Sequence, residues 1–134
     1  MVVDTSALLA ILTMESEAEW FADAIARDPI RLVSTVTALE ASIVIGSRRG
    51  PVGVRDLDLL LYRMGAELVA FNQQQFEAAR TAYSRFGKGN HPAALNFGDC
   101  CSYALSAVSG QPLLAKGDDF PRTDARLVQA LRSA

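Results

Sequence analysis

Residues 1–8, which read MVVDTSAL, decide the fold expected of this chain. Val2 and Val3 form a β-branched run, which is typical of a short buried strand. Asp4 follows at once, and residues 6–12 are predicted to form a short helix. A strand that leads directly into a helix is the repeating unit of parallel sheets.

The rest of the chain alternates strands and helices in the same way. The further predicted strands are 30–33, 67–71 and 111–115, and the predicted helices are 15–27, 36–48, 54–64, 72–86 and 96–108. Gly50 and Pro51 predict a break between two of these helices. Residues 124–134 are expected to form another short strand or helix. This order predicts a three-layer α/β/α sandwich around a central, mostly parallel sheet of four or five strands.

Length and composition favour one globular domain, 1–134, and exclude several classes of protein. Half of the 134 residues are hydrophobic, which supplies a sizeable core and argues against disorder. The formal net charge of −2 argues against a protein that holds nucleic acid by charge alone. No signal peptide or membrane span is predicted, and the adjacent Cys100 and Cys101 are expected to be reduced thiols on a helix. A cytoplasmic location is therefore expected.

Acidic residues follow the predicted strands or begin the predicted helices at four distant places. They are Asp4, Glu40, Asp99 and the pair Asp118–Asp119. Carboxylates at the carboxyl ends of parallel strands converge on one crevice, where they repel each other unless a cation lies between them. Oxygen ligands of this kind suit Mg²⁺ or Mn²⁺, so the pattern favours metal-assisted chemistry on a phosphate ester.

Simpler explanations exist for most of these acids taken singly. Asp4 and Asp99 could be helix caps, and Asp118–Asp119 could be a solvated turn. Glu40 is harder to explain, because its predicted helix is otherwise apolar and buried acids are rarely left unpaired. The sequence does not decide between Asp118 and Asp119, and Asp124 is a weaker candidate.

A division of roles follows if the acids do share a site. Asp4 and Asp99 are expected to bind the ion directly, whereas Glu40 and Asp118 or Asp119 act through water or a second ion. The hydroxyls of Thr5 and Ser6 are expected to orient Asp4. Asn96, three residues before Asp99, is a further supporting residue.

The motifs VVDTSAL at 2–8, LNFGDC at 95–100 and LLAKGDDF at 113–120, with Glu40 between them, resemble those of PIN-domain ribonucleases. The nearest resemblance is to the VapC toxins of bacterial toxin–antitoxin pairs, and it covers nearly the whole chain. It implies a PIN-like fold, an endoribonuclease that uses Mg²⁺ or Mn²⁺, homodimers and a VapB-type antitoxin whose tail enters the acidic crevice. Asp4, Glu40 and Asp99 match three acids of the family. Many members carry the fourth acid where this chain has Gly117, so Asp118 or Asp119 must serve.

Several cations could hold an RNA backbone at the rim of such a crevice. The candidates are Arg48, Arg49, Lys88 and Lys116, although solvated helix-end cations are the simpler explanation for the two arginines. His91 is expected to be a loop residue rather than a ligand.

Other protein classes fit the sequence less well. A haloacid-dehalogenase-type phosphatase needs an aspartate where this chain has Ser6, and a receiver domain needs one where it has Asn72. The remaining alternative is a PIN-like protein that binds RNA or a partner without cutting. The intact acids favour the enzyme.

Overall fold

A parallel sheet lies at the centre of the computed structural model, which describes residues 1–129. The strands are β1 (Val2–Val3), β2 (Leu32–Ser34), β3 (Glu67–Val69) and β4 (Leu113–Leu114), all parallel in the order β3-β2-β1-β4. The helices are α1 (Thr5–Leu12), α2 (Ala18–Arg27), α3 (Thr35–Arg63), α4 (Gln73–Phe86) and α5 (Phe97–Ser109), followed by a 3₁₀ turn at Phe120–Arg122. The predicted fold class is confirmed, with a sheet of four strands.

The two faces of the sheet belong to two separate apolar cores, because side chains alternate along each strand. Val3, Val33 and Leu114 pack with residues of α1, α2 and α3. Their strand neighbours Val2, Leu32 and Leu113 pack instead with residues of α4 and α5. Helices therefore cover both faces, as parallel strands require.

The long helix α3 is two helices joined at Gly50. Gly50 has φ 66° and ψ −154°, and Pro51 follows it. Few residues other than glycine adopt this conformation, which explains the predicted break. Just before the kink, Arg49 donates a hydrogen bond from Nη1 to the carbonyl of Leu12 (3.0 Å), which ties α3 to the end of α1.

Several elements are shorter than predicted, and at the end of β3 a side chain replaces the sheet as a hydrogen-bond partner. Strand β3 stops at Val69, and the amide of Phe71 donates to Thr35 Oγ1 instead of to the sheet (3.3 Å). Helix α2 begins at Ala18 rather than near residue 15. In the tail, Leu127 forms an isolated parallel bridge with Leu113, and residues 130–134 lie outside the described part of the chain.

The strand order reverses direction beside β1. The chain moves outward through β2 and β3, then returns to place β4 on the other side of β1. A crevice forms at such a switch point, outside the carboxyl ends of the strands. Asp4 lies at this point, directly after β1. Within the described residues, no helix is long and apolar enough to cross a bilayer.

Candidate active site at the switch point of the sheet

Asp4 is the most buried acid of the crevice, with 3% of its surface exposed. It is the N-cap of α1, and its Oδ2 accepts hydrogen bonds from the amide of Ser6 (3.1 Å) and from Ser6 Oγ (2.7 Å). Its Oδ1 accepts a hydrogen bond from Ser102 Oγ (2.5 Å) on α5. The capping explanation for Asp4 is thus correct, yet the carboxylate also connects two helices at the switch point.

Glu40 reaches the same region from the second turn of α3. The hydroxyl of Thr5 donates to Glu40 Oε1 at 2.5 Å. The prediction that Thr5 orients Asp4 is therefore wrong, whereas Ser6 does contact Asp4. An N-cap side chain accepts a hydrogen bond from the second or third residue of its helix. Asp4 therefore accepts from Ser6, and the Thr5 hydroxyl is available to donate to Glu40 on α3.

Gly98 allows the start of α5 to approach the Glu40 carboxylate. A Cβ atom at residue 98 would lie 2.6 Å from Glu40 Oε1 and closer still to Oε2. Real Cβ atoms do not come so close to another atom. A side chain at residue 98 would therefore displace the Glu40 carboxylate from its present position.

Asp99 has an unusual environment at the start of α5. It forms a capping box with Asn96: the Asn96 side chain accepts from the Asp99 amide (2.9 Å), and Asp99 Oδ2 accepts from the Asn96 amide (3.0 Å). The pKa of Asp99 is raised to about 6, mainly by burial and also by the charges of Asp4, Asp119 and Glu40, while the hydrogen bond from Asn96 opposes the rise. The other three carboxylates therefore act on Asp99.

Asp119 is the member of the acidic pair whose charge reaches Asp99. It begins the 3₁₀ turn after β4 without making a side-chain capping bond. Both residues of the pair are exposed, and Asp118 is not among the main influences on the pKa of Asp99. We therefore take Asp119 as the fourth acid.

The donor set suits a hard divalent cation, because every group that converges on the crevice offers oxygen. Among residues 1–129, no three His, Cys, Asp or Glu side chains form a ready-made ligand cluster. Direct ligation by one or two carboxylates, with water completing the shell, is the pattern typical of Mg²⁺. Burial and, after it, the charges of three neighbouring acids raise the pKa of Asp99, and a cation would relieve the part that is due to negative charge.

The cations expected at the rim have different surroundings. Lys116 pairs through Nζ with Glu15 and with Glu17 (3.4 Å), so it ties the α1–α2 loop to the loop after β4. Arg49 is bound to α1, whereas Arg48 and Lys88 are exposed.

His91 is a loop residue, as predicted: its Nδ1 accepts from the amide of Ala93 (3.0 Å). Asp124, the weaker acidic candidate, pairs with Arg85 (3.3 Å) and accepts from Tyr103.

Sequence reasoning missed two hydroxyls beneath the acids, Ser102 and Thr37. Ser102 is fully buried and lies 3.2 Å from Thr37 Oγ1, which is also buried. Their positions carried a signal, since each is three residues, about one helical turn, from an acid on its own helix. The neighbouring Cys100 and Cys101 are free and buried, and burial raises the pKa of both thiols to about 11, which makes them poor nucleophiles.

Comparison with known proteins agrees with this geometry. The family model described as PIN domain matches residues 1–126. A ribonuclease VapC of Mycolicibacterium smegmatis is 57% identical over 96% of this chain and 99% of its own length. The chain belongs to the VapC family of PIN-domain proteins.

Solved structures show that this PIN domain has the fold of distant VapC proteins. VapC20 of Mycobacterium tuberculosis, described as a toxin that cleaves the sarcin–ricin loop, has a TM-score of 0.76 at 18% identity and covers 96% of this chain and 98% of its own. VapBC2 of Rickettsia felis, solved with a promoter DNA fragment, has a TM-score of 0.75 at 12% identity and covers 96% of both chains. The phosphatase and receiver-domain alternatives are thereby excluded.

We expect Gly98→Ala to disturb the site more than the fold. The new methyl group must push away the Glu40 carboxylate or the start of α5, although alanine is the better helix former by about 1 kcal/mol. Binding of Mn²⁺, measured by calorimetry, should weaken at least about tenfold. Gly46→Ala is the matched control, because that helical glycine faces only the side chain of Val54 (3.2 Å). Equal metal affinity in both variants would contradict this account of Gly98.

The metal-free protein should gain stability from Asp99→Asn, and the gain should grow with pH. The folded-state pKa of Asp99 lies near 6, above its ordinary value of 3.8, so the folded protein binds this proton more tightly. The contribution of Asp99 to stability is therefore present below pH 3.8 and is lost as the pH rises to about 6. In urea unfolding with chelator present, the free energy of unfolding of the wild type should fall below that of Asp99→Asn. This difference should be about 1 kcal/mol larger at pH 7.5 than at pH 4.5, a value discounted for the partial exposure of Asp99. An identical difference at both pH values would contradict the shift.

Proposed function

We propose that this protein is the toxin of a toxin–antitoxin pair and an endoribonuclease that hydrolyses RNA phosphodiester bonds with Mg²⁺ or Mn²⁺. The observation that carries the proposal is that Asp4, Glu40 and Asp119 act on the half-buried Asp99, whose pKa is raised to about 6 first by burial and then by these three charges. A relative of 57% identity that is named a ribonuclease supports the same activity.

The residues of the crevice divide the work as follows. Asp4 and Asp99 would hold a divalent ion directly, and Glu40 and Asp119 would hold water molecules around it or a second ion. Ser6 fixes the Asp4 carboxylate, Thr5 fixes that of Glu40, and the Asn96 amide fixes that of Asp99. When bound, the ion polarises the phosphate and makes water nucleophilic at neutral pH.

The RNA backbone needs cations that are not already engaged. Arg48 and Lys88 are exposed and are our candidates for phosphate contacts. Arg49 instead donates a hydrogen bond to the end of α1, and Lys116 pairs with the glutamates of the α1–α2 loop. With a net charge of −2, the protein gains little from long-range attraction to RNA. A bound divalent ion would therefore add to the attraction for the RNA phosphates.

The partner we propose is a VapB-type antitoxin. The family relationship supports this, as does the fold shared with a toxin solved as part of a VapBC complex. A basic side chain from the antitoxin would neutralise the crevice carboxylates and displace the ion, because charge-assisted hydrogen bonds to carboxylates are strong. We place both proteins in the cytoplasm, where the RNA substrate of the toxin is found.

A second copy of this chain is the partner that we propose for an apolar groove beside the active site. The groove is about 370 Å³ in volume and is lined by Phe71, Phe76, Ala79, Arg80, Tyr83, Ser84, Phe97, Cys100 and Cys101. Phe97 has 73% of its surface exposed, which is costly for a free aromatic side chain.

The charges of the groove suit a symmetric contact between two copies. Among its described lining residues there is one cation, Arg80, and no carboxylate. The Arg80 guanidinium lies over the Phe76 ring, 4.6 Å from its centroid, so its charge is directed into the groove's own aromatic surface. A two-fold axis through the groove would bring two acidic crevices side by side, since Phe97 is two residues from Asp99.

Cleavage of a panel of RNAs tests the activity. The wild-type protein should cut with Mn²⁺ or Mg²⁺ and not in chelator, and Asp4→Asn and Asp99→Asn should each lower the rate at least about a hundredfold. Asp58→Asn is the control, because Asp58 is an exposed acid on the far half of α3. Unchanged cutting in the two site variants would refute the mechanism. Metal binding without any cutting would favour a PIN-like binding protein.

Sedimentation of the isolated protein tests the homodimer. The wild type should sediment as two chains of 14.4 kDa each at micromolar concentration. Phe97→Ser should raise the dissociation constant at least about tenfold by removing a central aromatic contact. Tyr62→Ser is the control, since Tyr62 is an exposed aromatic residue of α3 outside the groove. A monomeric wild type would assign the groove to another occupant.

A further inference from the structure

The two oxygens of Asp4 are not equivalent. A carboxylate oxygen has two lone pairs, and Oδ2 already uses both for the amide and the hydroxyl of Ser6. Oδ1 accepts one hydrogen bond, from Ser102, and keeps a lone pair. The oxygen that remains able to bind a cation is thus the one that Ser102 contacts.

The direction of the hydrogen bonds around Ser102 follows from the single proton that its hydroxyl group can donate. A carboxylate only accepts, so Ser102 must give its single hydroxyl proton to Asp4 Oδ1. The 3.2 Å contact between Thr37 and Ser102 must then be donated by Thr37. The resulting chain runs from Thr37 on α3 through Ser102 on α5 to Asp4 at the end of β1.

Burial makes this chain of hydrogen bonds rigid. Ser102 is 0% exposed and Thr37 is 2% exposed, so water does not substitute for either hydroxyl. Both residues lie on the helices that carry the other acids, Glu40 and Asp99. Movement of either helix would therefore move the hydroxyl that fixes Asp4 Oδ1.

We propose that Ser102 is a positioning residue that holds the metal-binding oxygen of Asp4, and that Thr37 orients the Ser102 hydroxyl. This inference rests on the proposed function, because it takes Asp4 as a metal ligand. The ion itself is not contacted by either hydroxyl. Loss of such outer contacts costs about 10–100-fold in metal affinity in other metalloproteins.

The chain supplies a matched control for Ser102 on the same helix. Ser106 lies one turn further along α5, is also buried, and donates to the carbonyl of Gln111 (2.6 Å) rather than to an acid. Ser102→Ala and Ser106→Ala each delete one buried hydroxyl and the hydrogen bond that it donates, and Ser102→Ala also removes the acceptor of the Thr37 hydroxyl. A purely structural role predicts similar losses of thermal stability and unchanged metal binding in both.

Titration of Mn²⁺ into the purified full chain, followed by calorimetry, tests the proposal without any RNA. We expect Ser102→Ala to weaken Mn²⁺ binding about tenfold and Ser106→Ala to change it less than about twofold. Thr37→Val should weaken binding by a smaller factor, and Thr37→Ser, which keeps the hydroxyl, should restore it. In cleavage assays, raising the Mn²⁺ concentration should recover most of kcat in Ser102→Ala.

Two outcomes separate this inference from the function on which it rests. If Asp4→Asn loses Mn²⁺ but Ser102→Ala binds it as the wild type does, the role of Ser102 is refuted and the active site stands. If Asp4→Asn binds Mn²⁺ as the wild type does, Asp4 is not a ligand and both proposals fail. Should Ser102→Ala fail to fold, the Thr37→Val and Thr37→Ser pair decides the matter, and equal affinity in that pair refutes the proposal.

Discussion

Repulsion between carboxylates at the switch point beside β1 is the constraint on which the active site depends. Two unit charges about 5 Å apart repel by about 3 kcal/mol at the effective dielectric constant of a protein interior. The fold tolerates several carboxylates in one crevice because nearby groups donate to them: Ser6 and Ser102 to Asp4, and Thr5 to Glu40. The pKa of Asp99 is still raised, by its burial and by the charges of the other three acids, so this compensation is incomplete. A divalent cation completes it.

Local structural roles and chemical roles coincide in these acids. Asp4 caps α1, and Asp99 forms the capping box of α5 with Asn96. Both helices begin at the carboxyl edge of the sheet, where their first amides and dipoles favour negative charge. An aspartate that caps a helix at this edge therefore also places its carboxylate at the crevice. For the same reason, a capping explanation for either aspartate does not argue against a role in metal binding.

Contacts between distant loops set the shape of the crevice. Lys116 ties the loop after β4 to the α1–α2 loop through Glu17, and its amide donates to Ser6 Oγ (2.9 Å). The absence of a side chain at Gly98 lets the start of α5 rest against Glu40. Through α5, the acidic centre is continuous with the apolar groove at Phe97. Helix α5 thus carries residues of both the acidic site and the proposed contact between two copies.

The sequence by itself determined the alternation of strands and helices, the break at Gly50 and the placement of Asp4 and Asp99, because these depend on neighbours within a few residues. Only the tertiary structure decided that Thr5 serves Glu40, that Asp119 rather than Asp118 acts on Asp99, and that Ser102 holds Asp4. Ser102 and Asp4 are 98 residues apart. Contacts of this kind depend on how each helix is rotated on the sheet, and packing of the whole core sets that rotation.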